Sequence, residues 1–216
     1  MKKKISLMIN VLIVLLTIFA SFIMFTGTKI THGAEPILET TKLGMFKFYT
    51  VDSNLLMGIT ALIFIILQVK NKKISKNMYK LKLMSTTSVA LTFLVVFAYL
   101  GQIAQEGIKS MLQNSNLFFH LIIPLLSIIN FTIFEKTGKL KLKDTIYGII
   151  PTLIYGIIYT TNVLIHAENG KVSSVYDWYW FVQNGIKSAI ILAPTIILIS
   201  YIISLILWKL NRKENI

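Results

Sequence analysis

Seven polar side chains stand in or at the mouth of stretches that are otherwise apolar. Thr50, Asp52, Ser53 and Asn54 open one stretch, His120 lies in a second, and Tyr159 and Asn162 lie in a third. In hydrocarbon such groups cost free energy unless they face other helices or a wet cavity, so each is a candidate site residue. Thr50, Ser53 and Asn54 share one helical face, because positions three and four apart are neighbours, and Asp52 falls roughly opposite Thr50. Asp52 therefore needs another helix, water or a proton. Alternatively, Asp52-Ser53 caps a helix that starts near residue 53, since Asp, Ser and Asn suit that position. His120 shares a face with Pro124, Ser127 and Phe131. At ~1.5 Å of rise per residue, it and Thr50 both lie roughly 5 Å inside one boundary of the apolar layer, and they meet if their helices adjoin. Tyr155, Tyr159, Asn162 and His166 form a further stripe above Pro151, whose kink frees a carbonyl. Tyr99, Gln102 and Glu106 make a fourth polar face in the same layer. Interfacial belts account for Tyr176, Trp178, Tyr179 and Trp180, but not for a histidine together with asparagines. A histidine among hydroxyls and amides supports proton transfer or the binding of a polar group; its structural alternative is a satisfied helix residue.

Six stretches without a charged side chain position these residues. They cover 5–28, 53–69, 83–105, 110–134, 145–165 and 188–208, and hold 24, 17, 23, 25, 21 and 21 residues. A membrane-crossing helix needs about 20. Hydrophobic residues make up 55% of the 216 and charged residues only 14%, against about 45–50% and about 25% in soluble domains. The pattern predicts an all-α polytopic membrane protein, a single bundle of six transmembrane helices at about 5–26, 48–69, 83–105, 117–135, 145–166 and 186–208. The longest connection holds about 24 residues, so no soluble catalytic or nucleic-acid-binding domain fits between them. The 17-residue stretch is short because Asp52 interrupts it.

The net charge of +13 reads as orientation once it is divided by position. Sixteen of the 22 basic residues fall on alternate connections: Lys2–Lys4, six lysines from Lys70 to Lys82, four from Lys136 to Lys143, and Lys209, Arg212 and Lys213. The other connections carry the remaining basic residues beside Glu35, Glu39, Glu106, Glu168 and Asp177. The positive-inside rule then places both termini in the cytoplasm of a multi-pass cell-membrane protein, with Thr50 and His120 toward the outer face. The basic loops rest on anionic lipid, and no nucleic-acid partner is expected. Lys2–Lys4, an apolar run and Thr31-His32-Gly33-Ala34 have the order of a signal peptide, but the run exceeds the usual h-region of about 7–15 residues, so a retained helix is expected. There is no cysteine, and neither metal-ligand spacing nor a Gly-rich phosphate loop, so no cofactor or metal is expected.

Phe48-Tyr49-Thr50-Val51-Asp52-Ser53-Asn54 and Phe119-His120-Leu121-Ile122-Ile123-Pro124-Leu125-Leu126 resemble the openings of helices two and four in a known group. These are the bacterial six-helix integral membrane proteins related to the androgen-induced protein family. Animal members of that family are threonine hydrolases of fatty acid esters of hydroxy fatty acids. The resemblance implies Thr50 as nucleophile and His120 as base in a Thr-His dyad, with an apolar ester arriving from the lipid. Asp52, Ser53, Asn54, Tyr159 and Asn162 would surround the substrate, and Asn54, Asn162 or Tyr159 would donate to the oxyanion. Two other readings remain, the first of them using the same polar layer. One is a binding or transport protein with Asp52 and His120 as titrating groups; the other is a scaffold for a partner membrane protein.

Overall fold

The first helix, α1 (Lys2–Thr26), hides its polar residues and displays its apolar ones. Ser6, Asn10, Thr17 and Ala20 recur at helical spacing and are buried, whereas Leu12, Leu15, Ile18, Phe19 and Phe22 are exposed. Lipid tails are as apolar as leucine, so helices in a bilayer turn small and hydrogen-bonding residues toward one another instead. The computed structural model describes residues 1–33, 37–182, 185 and 187–212 and places five more helices of this kind. They are α2 (Tyr49–Val69), α3 (Lys76–Ile103), α4 (Asn114–Phe134), α5 (Leu142–Ile165) and α6 (Lys187–Asn211). All six are long and apolar enough to cross a membrane, and the described residues contain no strand, so the chain is an all-α six-helix bundle. Ala34, Glu35, Ile186 and Lys213 of the sequence reading lie outside the described residues.

The central helix is α3, which packs against α2, α4, α5 and α6. Its Ser85-Thr86-Thr87-Ser88 run is fully buried, and such small side chains let neighbouring backbones approach closely. Glycine serves the same end elsewhere. A Cβ added at Gly58 of α2 would stand 2.9 Å from the Thr17 methyl of α1, and one at Gly148 of α5 would stand 2.6 Å from Ser204 Cβ of α6.

The start of α3 departs from the sequence expectation, the alternative cap of α2 fails, and the winding of α4 and α5 varies, each for a local reason. Helix α3 starts at Lys76, not near 83, because the Ser75 side chain accepts from the Met78 amide at 3.3 Å and caps it. Lys76 and Lys80 then pair with the buried Asp144 of α5 at 2.8 and 3.6 Å. As a result Lys82, grouped by position with the loop lysines, is a fully buried member of the bundle. Helix α2 begins at Tyr49 with no side-chain cap. The alternative of an Asp52-Ser53 cap therefore fails, and Asp52 sits in the first turn, where the helix dipole favours a carboxylate. In α4, Pro124 lacks an amide to bond the His120 carbonyl and its ring crowds that carbonyl. The winding relaxes into a π turn over Phe118–Ile122. Pro151 of α5 sits just past the junction where 3-10 winding over Leu142–Ile149 becomes α.

Candidate functional site

Helices α2 and α4 adjoin at the level where Thr50 and His120 stand. Asn54, one turn along α2 from Thr50, donates both amide hydrogens: to Thr50 O at 2.8 Å and to Phe119 O at 3.0 Å. The carbonyl it grips across the helices thus belongs to the residue preceding His120. Ser53 on the same face donates to Thr50 O at 3.0 Å and lies 3.1 Å from the Thr92 hydroxyl of α3. The His120 ring is fully buried, with Nδ1 2.6 Å from Met111 O. A carbonyl only accepts, so Nδ1 carries the proton, and in the neutral ring Nε2 keeps its lone pair. That nitrogen has no hydrogen-bond partner among the described residues. No hydrogen bond joins Thr50 to His120; the two are neighbours through the Asn54 bridge.

Thr50 forms part of the wall of a cavity of about 370 Å³ between α3, α5 and α6. Apolar side chains dominate the lining, and its far wall includes Leu153 and Ile157, which are 39% and 60% exposed on the lipid-facing side of α5. The volume falls in the range of small-ligand sites, about 300–1,000 Å³. Gly156 keeps it open: a Cβ there would meet nothing within 4 Å.

The connection from α5 to α6 closes one end of this cavity. Residues 168–171 form a tight turn, with Glu168 N donating to Lys171 O at 2.9 Å and Lys171 N to Glu168 O at 3.0 Å. The chain then folds back onto the bundle around Asp177, which is buried and accepts from the amides of Phe181 and Val182 at 2.9 and 3.0 Å and from the Tyr159 hydroxyl. Asn162 adds a bond to Tyr176 O at 2.9 Å, and the His166 ring stacks on Tyr176 with centroids 3.6 Å apart. Trp178 Nε1 donates to the Tyr155 hydroxyl, which donates to Lys47 O at 2.5 Å. This folding carries Tyr179 inward. It lines the cavity, is 5% exposed, and its hydroxyl lies beside the Tyr155 hydroxyl, Thr50 and the Tyr49 backbone without meeting hydrogen-bond geometry to any described residue. Burial pushes its phenol above the usual tyrosine range, so it remains a donor.

Of the residues singled out from sequence, Thr50 and Tyr159 line the cavity. Ser53 and Asn54 are buried behind Thr50 and brace it. Asp52 is half-buried and outside the cavity wall, and its carboxylate makes no hydrogen bond or ion pair with the described residues. Asn162 lies outside the wall and anchors the closing segment. The proposed oxyanion donors are also committed: both Asn54 hydrogens are used, and Tyr159 is bonded to Asp177. Tyr179, placed in the interfacial belt by composition, is instead a buried cavity residue. Its one sequence signal is Asp177 two residues earlier, an acid that folding would have to satisfy. No protein-family description, curated protein or solved structure matches the chain.

Proposed function

We propose that the chain is a membrane-embedded hydrolase of lipid esters, with Thr50 as nucleophile and His120 as base. The observation that carries this is the apolar cavity, which has a buried threonine on its wall and lipid-facing residues at its far side. An acyl chain already dissolved in the bilayer enters between α5 and α6 and brings its ester to Thr50. A threonine hydroxyl needs a base during attack, and the lone pair on His120 Nε2 supplies it when the hydroxyl reaches it directly or through one water. Thr50 Oγ1 bonds to the ester carbonyl carbon while its proton passes to His120. The tetrahedral oxyanion accepts from the Tyr179 hydroxyl, a donor whose removal typically costs about 3–4 kcal/mol of barrier. The alcohol leaves with the proton from His120. Water, deprotonated by the same nitrogen, then cleaves the acyl-threonine, and the proton returns to Thr50.

A second reading, a lipid-binding protein without catalysis, draws on the same cavity and on the absence of His120 from its wall. Fatty acid release from long-chain esters by wild type, Thr50→Ala and His120→Ala separates the two. Hydrolysis should fall about 10²-fold or more in each variant, as loss of a nucleophile or general base does. A folded wild type that binds the ester and releases no acid would leave the binding reading standing alone.

A further inference from the structure

The opposite end of the bundle holds a second, different cavity. It encloses about 630 Å³ where the start of α1 and the ends of α2 and α4 come together. Lys2, Lys3, Lys72, Lys136 and Lys139 stand around it, with Glu135 the single carboxylate. That carboxylate is already neutralised. Its Oε1 accepts from Ser6, Asn10 and Asn130 at 3.0, 2.8 and 3.2 Å, and its Oε2 lies 3.4 Å from the buried Lys82 ammonium. The rim therefore carries an uncompensated positive charge. Lys3 bonds Asn71 Oδ1 and Lys139 bonds Ile74 O, while Lys2, Lys72 and Lys136 make no side-chain hydrogen bond or ion pair with the described residues. The floor has the other polarity. Gln68 is 8% exposed and donates weakly to Ser6 at 3.4 Å, and its Oε1 has no partner; Glu135 Oε2 has the Lys82 ammonium at 3.4 Å and no other donor.

We infer that this cavity binds an anionic glycerophosphate group, its phosphate held by the rim lysines and its hydroxyls donating to Gln68 and Glu135 on the floor. Lysine ammoniums are suited to phosphate as mobile point charges. A buried acceptor without a donor, as at Gln68 Oε1, and a carboxylate oxygen with room for a second one call for a ligand that brings O–H groups. The site also lies at the ends of membrane-spanning helices, the depth of a phospholipid head group. Phosphatidylglycerol offers that chemistry from the bilayer, and free sn-glycerol 1-phosphate offers it from water.

The test uses full-length protein, delipidated in neutral detergent, with thermal unfolding and native mass spectrometry as readouts. Phosphatidylglycerol, phosphatidic acid, phosphatidylcholine and sn-glycerol 1-phosphate are added in separate arms. Phosphatidylglycerol should raise the unfolding temperature and remain bound, whereas phosphatidylcholine should not. In Lys2→Gln/Lys72→Gln/Lys136→Gln the affinity should fall at least tenfold. In Lys70→Gln/Lys73→Gln/Lys143→Gln, which removes equal charge from the same end outside the cavity, it should stay within twofold. In Gln68→Leu the preference for phosphatidylglycerol over phosphatidic acid should narrow. A full response to sn-glycerol 1-phosphate alone supports the same head-group chemistry with a soluble source. Equal stabilisation by phosphatidylcholine, or equal loss in the two lysine triples, overturns the site.

Discussion

Lys82→Met breaks the buried ion pair and should be among the most destabilising single changes in the chain. Lys82 is 0% exposed and Glu135 6%, and the ammonium also donates to Asn10 Oδ1 at 2.7 Å. Methionine fills a similar volume and removes the charge, so Glu135 would lose its buried cationic partner and keep only the neutral donors Ser6, Asn10 and Asn130. Removing one partner of a buried pair typically costs about 3–5 kcal/mol, whereas replacing both by neutral groups is often close to neutral. The losses should therefore not add. Glu135→Gln alone keeps an oxygen for Ser6 and Asn10 and strands Lys82, while Lys82→Met/Glu135→Gln should lie within about 2 kcal/mol of wild type. Reversible unfolding in lipid–detergent bicelles measures the four corners of this cycle. A single Lys82→Met loss below about 1 kcal/mol, or a double variant as unstable as the two singles summed, would refute the buried-pair account.

Other consequences follow from the same contacts. Gly148→Ala should destabilise by about 1–3 kcal/mol, because its methyl would overlap Ser204 and force α5 from α6; Gly148→Ala combined with Ser204→Gly should recover part of that loss in the same unfolding assay. Gly156→Phe projects into open space and should fill the cavity with stability unchanged within about 0.5 kcal/mol; lipid-ester turnover that is undiminished in this variant would argue against the cavity as the substrate site. Asp177→Ala strands two buried amide donors and the Tyr159 hydroxyl, at about 1–3 kcal/mol each. Faster hydrogen exchange confined to residues 176–182 should accompany it, and exchange rates unchanged there would contradict the closing role of that segment.

The six-helix class is legible in sequence because charge is expensive in lipid and therefore marks the gaps between helices. The same logic misplaces Lys82. It sits beside Lys80 and reads as loop, yet α3 begins earlier and Glu135, Asn10 and Asn130 await it from two other helices. A pairing of residues so distant in the chain leaves no local pattern. The candidate site divides in the same way. The shared face of Thr50, Ser53 and Asn54 follows from helical periodicity and the equal depth of His120 from helical rise, but that α2 and α4 adjoin does not. The inward position of Tyr179 depends on a connection folding back around Asp177, and turn geometry there is not encoded by alternation or period. Nor does periodicity reveal that Asn54 spends both hydrogens on carbonyls, although it does place Asp52 opposite Thr50 and so away from the cavity.

The central claim, that Thr50 is acylated from the membrane side, is tested most directly by trapping the adduct. Full-length protein in lipid nanodiscs would be treated with a long-chain fluorophosphonate and the modified peptide sequenced by mass spectrometry. A phosphonate ester on Thr50, blocked by prior long-chain ester and lost in His120→Ala, is the expected result. A well-folded protein that remains unmodified, or carries the adduct on another hydroxyl with Thr50 free, would contradict the account.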